Sequence, residues 1–146
     1  MVRNLLLENW SLFQEHHDAW RDLENALRPM LIDCKNECDN RGVELVFRWF
    51  WDGDVPNRNF AKAIRNLAWE FPQVKFWAYT RNFNVVSDLL GADNFILYLS
   101  VDDGNMINAL ATQQRYPGLT VEVFGYHWDG TQSLATNSDG ERQGPR

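Results

Sequence analysis

The stretch Val43 to Asp54, V-E-L-V-F-R-W-F-W-D-G-D, decides the fold. It is almost continuously apolar and aromatic, and turn residues close it abruptly. β-Branched and aromatic side chains suit a pleated, half-buried surface, so a strand is expected here. A near-continuous apolar run is the habit of parallel sheets, which are covered on both faces. Alternation still separates two faces. Val43, Leu45, Phe47, Trp49 and Trp51 fall on one side; Glu44, Val46, Arg48, Phe50 and Asp52 fall on the other. An Arg inside such a run, followed four residues later by an Asp, marks the second face as the one to follow.

Working outward, the pattern recurs downstream as V-K-F-W-A-Y-T (Val74 to Thr80), F-I-L-Y-L-S-V (Phe95 to Val101) and L-T-V-E-V-F-G-Y (Leu119 to Tyr126). Helical periodicity fills the gaps. Phe60, Ala63, Ile64, Leu67, Ala68 and Phe71 form one apolar stripe, with Asp54 as the expected N-cap and Pro72 as the stop. A short helix is expected over Val85 to Leu90, closed by Gly91, and another over Asn105 to Tyr116, stopped by Pro117 and Gly118. Upstream, Leu6, Trp10, Phe13, Trp20, Leu23 and Leu27 predict an amphipathic helix over Asn4 to Leu27. Arg28 and Pro29 are expected to break it, because the residue before Pro is pushed out of helical geometry. A second helix then runs from Pro29 to about Asn40, with Gly42 as its C-cap.

Strand and helix alternating with short connections imply consecutive βαβ units and a parallel sheet. The expected fold class is therefore α/β: four parallel strands alternating with helices, as a half-barrel or a small open sheet, preceded by two N-terminal helices. Residues 1–128 are read as a single domain, helical over 1–42 and βαβαβαβ over 43–128. Residues 129–146 are polar and aperiodic and are expected to be a flexible tail.

Composition narrows the function classes. The 146 residues are 45% hydrophobic and 14% aromatic, which suits a packed core and excludes intrinsic disorder for most of the chain. A net charge of −6 argues against a surface that coats nucleic-acid phosphates. Two cysteines, Cys34 and Cys38, are too few for a disulfide scaffold, so a reducing cytoplasm is the expected compartment. The run Leu5 to Leu7 is too short for a secretory signal, and no stretch approaches the ~20 apolar residues of a membrane span.

The strand faces carry the functional reading. One face of each strand is purely apolar and is expected to pack under the linking helices. The other is aromatic with interspersed charges, and its polar members gather toward the carboxyl ends, where ligands collect in parallel α/β folds. Arg48, Asp52, Tyr79, Arg81, Ser100, Asp102, Glu122, Tyr126 and His127 are accordingly expected to share one cavity or surface. The competing reading for any one of them is an exposed sheet face or a buried Arg–Asp pair that fixes geometry.

Other constellations are weaker. Cys34 and Cys38 lie one helical turn apart, with His16 and His17 upstream, but lack a knuckle-type C-x-x-C, and buried helix-face cysteines are the plainer reading. Asp52, Asp54, Asp102 and Asp103 at strand ends are carboxylates of the kind hard cations take, although N-capping is the better role for Asp54 and Asp103. Nucleotide-loop, nucleophile-elbow and zincin motifs are all missing, and neither a metal nor a cofactor is expected.

The blocks F-R-W-F-W-D-G-D-V (Phe47 to Val55), V-K-F-W-A-Y-T-R (Val74 to Arg81) and N-F-I-L-Y-L-S-V-D (Asn94 to Asp102) resemble the bacteriophage gene product 88 family. That family's core shows an F-R…G-D strand, a Y-T-R strand and a Y-x-S-V-D strand in this order. The resemblance runs over roughly residues 40–128 and falls on Arg48, Gly53, Asp54, Tyr79, Thr80, Arg81, Ser100, Val101 and Asp102. It implies a phage-encoded protein without an assigned activity. Family members tend to carry cysteine clusters around this core, of the kind found in iron–sulfur or radical enzymes; Cys34 and Cys38 do not reproduce them.

Two functions are compatible with these residues. The first is a phage accessory protein that binds a host protein or small ligand through the polar and aromatic strand-end surface, in the host cytoplasm. Open sheet edges and an uncovered aromatic face make it a homo-oligomer as well. The alternative is a truncated barrel enzyme of a radical or metal-dependent type, with Arg48 and Arg81 holding an anionic substrate and Asp52 or Asp102 as base or metal ligand.

Overall fold

The computed structural model describes residues 20–50 and 53–123. Helix α1 spans Trp20–Asn40, strand β1 Val46–Arg48, α2 Arg58–Glu70 and β2 Lys75–Thr80. A 3₁₀ turn at Phe83–Val85 leads into α3, Val86–Leu89; β3 is Phe95–Val101, α4 Met106–Arg115 and β4 Thr120–Val123. The strands pair in parallel in the order β1-β2-β3-β4. Among the described residues this is an open sheet with β1 and β4 as its edges.

Period-two alternation sets which side chains are buried. Phe76, Ala78 and Thr80 on β2 and Phe95, Leu97, Leu99 and Val101 on β3 are buried, while the strand residues between them are half-buried or exposed. The buried face meets the stripe Ala61, Ile64, Leu67 and Ala68 of α2, together with Val85, Val86 and Leu89. Trp49 joins it as expected, stacking on Phe76 at 6.1 Å, and Phe76 stacks in turn on Phe95 at 6.4 Å. Complete burial of side chains such as Ile64, Leu67, Phe76 and Leu99 contributes about 2–3 kcal/mol each. Asp88 is buried as well, and its charge is met by Arg58 at 2.6 Å.

Several expectations are corrected. Helix α1 runs straight through Arg28 and Pro29. Pro29 sits on the exposed side, where water can satisfy the carbonyl left without a donor, while Leu23 and Leu31 bury the opposite side and Arg28 pairs with Glu70 of α2 at 2.6 Å. Packing outweighs local propensity. The part of the predicted first helix before Trp20 lies outside the described residues, as do Trp51, the last residues of the predicted fourth strand from Phe124 to Tyr126, and the predicted tail. Strand β1 is shorter than expected. Its ladder extends only to the Leu45 carbonyl and the Trp49 amide before Phe50 turns into the left-handed region at φ 55°.

Two caps also differ. Asn57, not Asp54, caps α2 by accepting from the Phe60 amide at 2.9 Å. Asn105, not Asp103, precedes α4, and its Oδ1 accepts from the Asp102 amide at 2.8 Å. Gly42 closes α1 as expected: at φ 66° it lets the Val43 amide reach back to the Cys38 carbonyl at 3.0 Å.

Candidate functional site

The face opposite the helices is built by the residues that alternation leaves behind. Register places Arg48 beside Trp77, Tyr79 beside Tyr98, and Ser100 beside Glu122. The Arg48 guanidinium carbon lies 4.8 Å from the Trp77 ring centre and 5.4 Å from that of Tyr79. Trp77, Tyr79 and Tyr98 contact one another with ring centres 5.2–6.2 Å apart. Together with Val46, Ile96 and Glu122 these rings line a shallow cavity of about 540 Å³.

This face is neither a solvated surface nor a core. Trp77, Tyr79 and Tyr98 are half-buried, whereas Val46 and Ile96 remain 57% and 51% exposed. Burial raises the Tyr79 phenol from its ordinary value to about 12, helped by a hydrogen bond to the Glu122 carboxylate and that group's negative charge. Arg48 pulls in the opposite direction and does not prevail. The hydroxyl therefore stays protonated and acts as a donor, with Glu122 as its acceptor.

A second set of polar groups forms a lock at the carboxyl ends of the strands. Asp54 accepts from the Thr80 hydroxyl at 2.6 Å, the Arg81 amide at 2.7 Å and the Asn82 amide at 3.1 Å. Arg81 forms an ion pair with the buried Asp102. Asp102 also accepts from the Gly104 amide at 2.8 Å. Residues from three separate sequence blocks, the same blocks that carry the family resemblance, are thereby joined.

The predicted polar set thus divides. Arg48, Tyr79 and Glu122 meet on the open face, with Ser100 beside Glu122 in register. Arg81 and Asp102 meet each other at the rim; of the expected set, Tyr79 and Glu122 line the open-face cavity, and Arg48 lies over the rings beside it. Asp52, Tyr126 and His127 lie outside the described residues. Alternation also puts Trp77 and Tyr98 on this face; neither is among the expected site residues, yet they supply two of the three rings in contact there. Asp54 is not the expected helix cap; besides the neighbouring Val55 amide, it accepts from three donors 26–28 residues away in sequence, which no local pattern announces. Cys34 and Cys38 are half-buried free thiols on α1. Among the described residues no three His, Cys, Asp or Glu side chains gather as a metal would need, and no helix is long and apolar enough to cross a membrane.

Comparison with known proteins identifies the lineage. A family model described as Gene product 88 matches residues 1–144. The chain is similar to the Gene 88 protein of Mycobacterium phage L5, 33% identical over 107 residues that make up 72% of this chain and 44% of the relative. It is similar to the Gene 88 protein of Mycobacterium phage D29 at 32% identity, with the same shares of each chain covered. It therefore spans less than half the length of these curated relatives. No solved structure matches.

Proposed function

We propose a binding role for this chain, which belongs to the Gene product 88 family. In this reading it is a phage accessory protein of the host cytoplasm, and the open aromatic face of the sheet is its binding surface. The observation that carries the reading is the mismatch between sheet type and cover. Parallel sheets are ordinarily buried on both faces. Here one face is buried by helices, while the other leaves Val46 and Ile96 more than half exposed beside a cluster of half-buried rings. Aromatic and Arg side chains grouped on an incompletely covered face are what interface centres are made of.

A second copy of the chain is the proposed occupant, with a host protein on the same face as the other candidate. The face carries both signs of charge, Arg48 and Glu122 together with a Lys75–Glu44 ion pair at 3.0 Å, and a patch of that kind can be complementary to itself across a two-fold axis. The outer sides of β1 and β4, which pair with no strand among the described residues, offer further backbone donors and acceptors. The enzyme reading gains less support, because the Asp102 carboxylate is already committed to Arg81 and Gly104.

Light scattering at high micromolar concentration tests this. A dimer is expected, converted to monomer by Val46→Lys combined with Ile96→Lys. A wild-type chain that stays strictly monomeric would remove self-association and leave the host protein as occupant.

A further inference from the structure

A second cavity, of about 570 Å³, lies between the segment that follows β2 and helix α4. It shares no lining residue with the open-face cavity. It runs from Arg81, just past the carboxyl end of β2, along Ser87 of α3 and Asn108 of α4 to Arg115 in the last turn of α4. Its volume is that of a small-molecule site.

The lining is polar and one-signed. Arg81 and Arg115 are its charged residues, and among the described residues no carboxylate lines it, in a chain whose net charge is −6. Arg81 enters from the β2 end, held by Asp102, which offsets one of the two positive charges from beneath. Arg115 enters from the last turn of α4, its guanidinium carbon 5.5 Å from the Tyr116 ring centre. Asn84, Ser87 and Asn108 also line the cavity, and their side chains make no hydrogen bond to the described residues.

We propose that this cavity binds a small phosphate-bearing molecule with a hydroxylated body. Two guanidinium groups reaching in from different elements suit a phosphate monoester, whose three terminal oxygens accept from several directions, better than the single plane of a carboxylate. Asn84, Ser87 and Asn108 supply neutral donors and acceptors for hydroxyl groups, and the Tyr116 ring gives a flat wall.

Titration calorimetry at low ionic strength with ribose 5-phosphate, inorganic phosphate and ribose tests the proposal. Saturable binding of ribose 5-phosphate is expected, weaker binding of inorganic phosphate, and none of ribose. Arg115→Gln, at an exposed position on α4, is expected to weaken ribose 5-phosphate binding about tenfold. Arg81→Gln is expected to do the same, but it also strands Asp102. If that variant does not fold, Arg115→Gln and Asn108→Ala carry the test. The proposal is overturned if ribose 5-phosphate gives no saturable heat, if ribose or inorganic phosphate binds as tightly, or if Arg115→Gln binds like the wild type. None of these results bears on the open face, where neither arginine lies.

Discussion

The Thr80 hydroxyl donates a 2.6 Å hydrogen bond to Oδ1 of Asp54, tying the loop after β1 to the buried end of β2. With the Arg81 and Asn82 amides bound to Oδ2 of the same carboxylate, Asp54 is the acceptor on which the rim is assembled. Hydrogen bonds to a charged acceptor are worth about 1.5–3 kcal/mol each, though such values do not add within one network. Asp54→Ala should therefore lower unfolding stability by about 3 kcal/mol, and Thr80→Val by about 1 kcal/mol. Urea unfolding measures both. Asp54→Ala with a wild-type midpoint would show that the lock contributes nothing.

Pro29 interrupts the hydrogen-bond ladder of α1 from its exposed side. A helix-interior Pro costs up to about 3 kcal/mol relative to Ala. Pro29→Ala should restore the missing amide, raise helical circular dichroism and increase stability. A loss of stability would mean that the ring makes contacts outweighing the amide it removes.

Tyr79 makes stability fall at high pH. Its phenol is near 10 in an unfolded chain and about 12 in the fold, so between these values the unfolded state holds fewer protons than the native one. The sign is then negative: the contribution is fully present below about pH 10 and is lost as pH rises through 12. The phenolate absorbance difference between wild type and Tyr79→Phe should report this late titration, and Glu122→Gln should bring it earlier. A Tyr79 that titrates near 10 in the folded protein would contradict the burial of its phenol as well as the Glu122 contact.

Arg48 lies over two rings of the open face. Cation–π contacts at partly exposed sites are worth about 0.5–1 kcal/mol. A double-mutant cycle of Arg48→Met with Trp77→Leu should give a coupling energy in that range. Zero coupling would reduce the contact to coincidence.

Much of the fold was legible in the sequence because period-two and period-3.6 patterns are local. Thirteen residues from Arg58 to Glu70 bury one stripe and expose the rest, and nothing distant is needed to read that. The strand β3 fell where F-I-L-Y-L-S-V placed it, and the separation of an apolar face from an aromatic one followed from alternation alone. Neither device tells which polar groups meet.

Three things were decided only by the tertiary structure. Helix α1 continues through Pro29 because a buried leucine side and an ion pair to α2 offset a local penalty. Asp54 leaves the helix cap to Asn57 because the end of β2, brought alongside by parallel pairing, offers it three donors. The polar set divides because Tyr79 leans toward Glu122 on the open face while Arg81, two residues on, has left the strand and closes onto Asp102. Sequence fixes what each residue can do and which face it takes. The partner it finds depends on distances that exist only once the chain is folded.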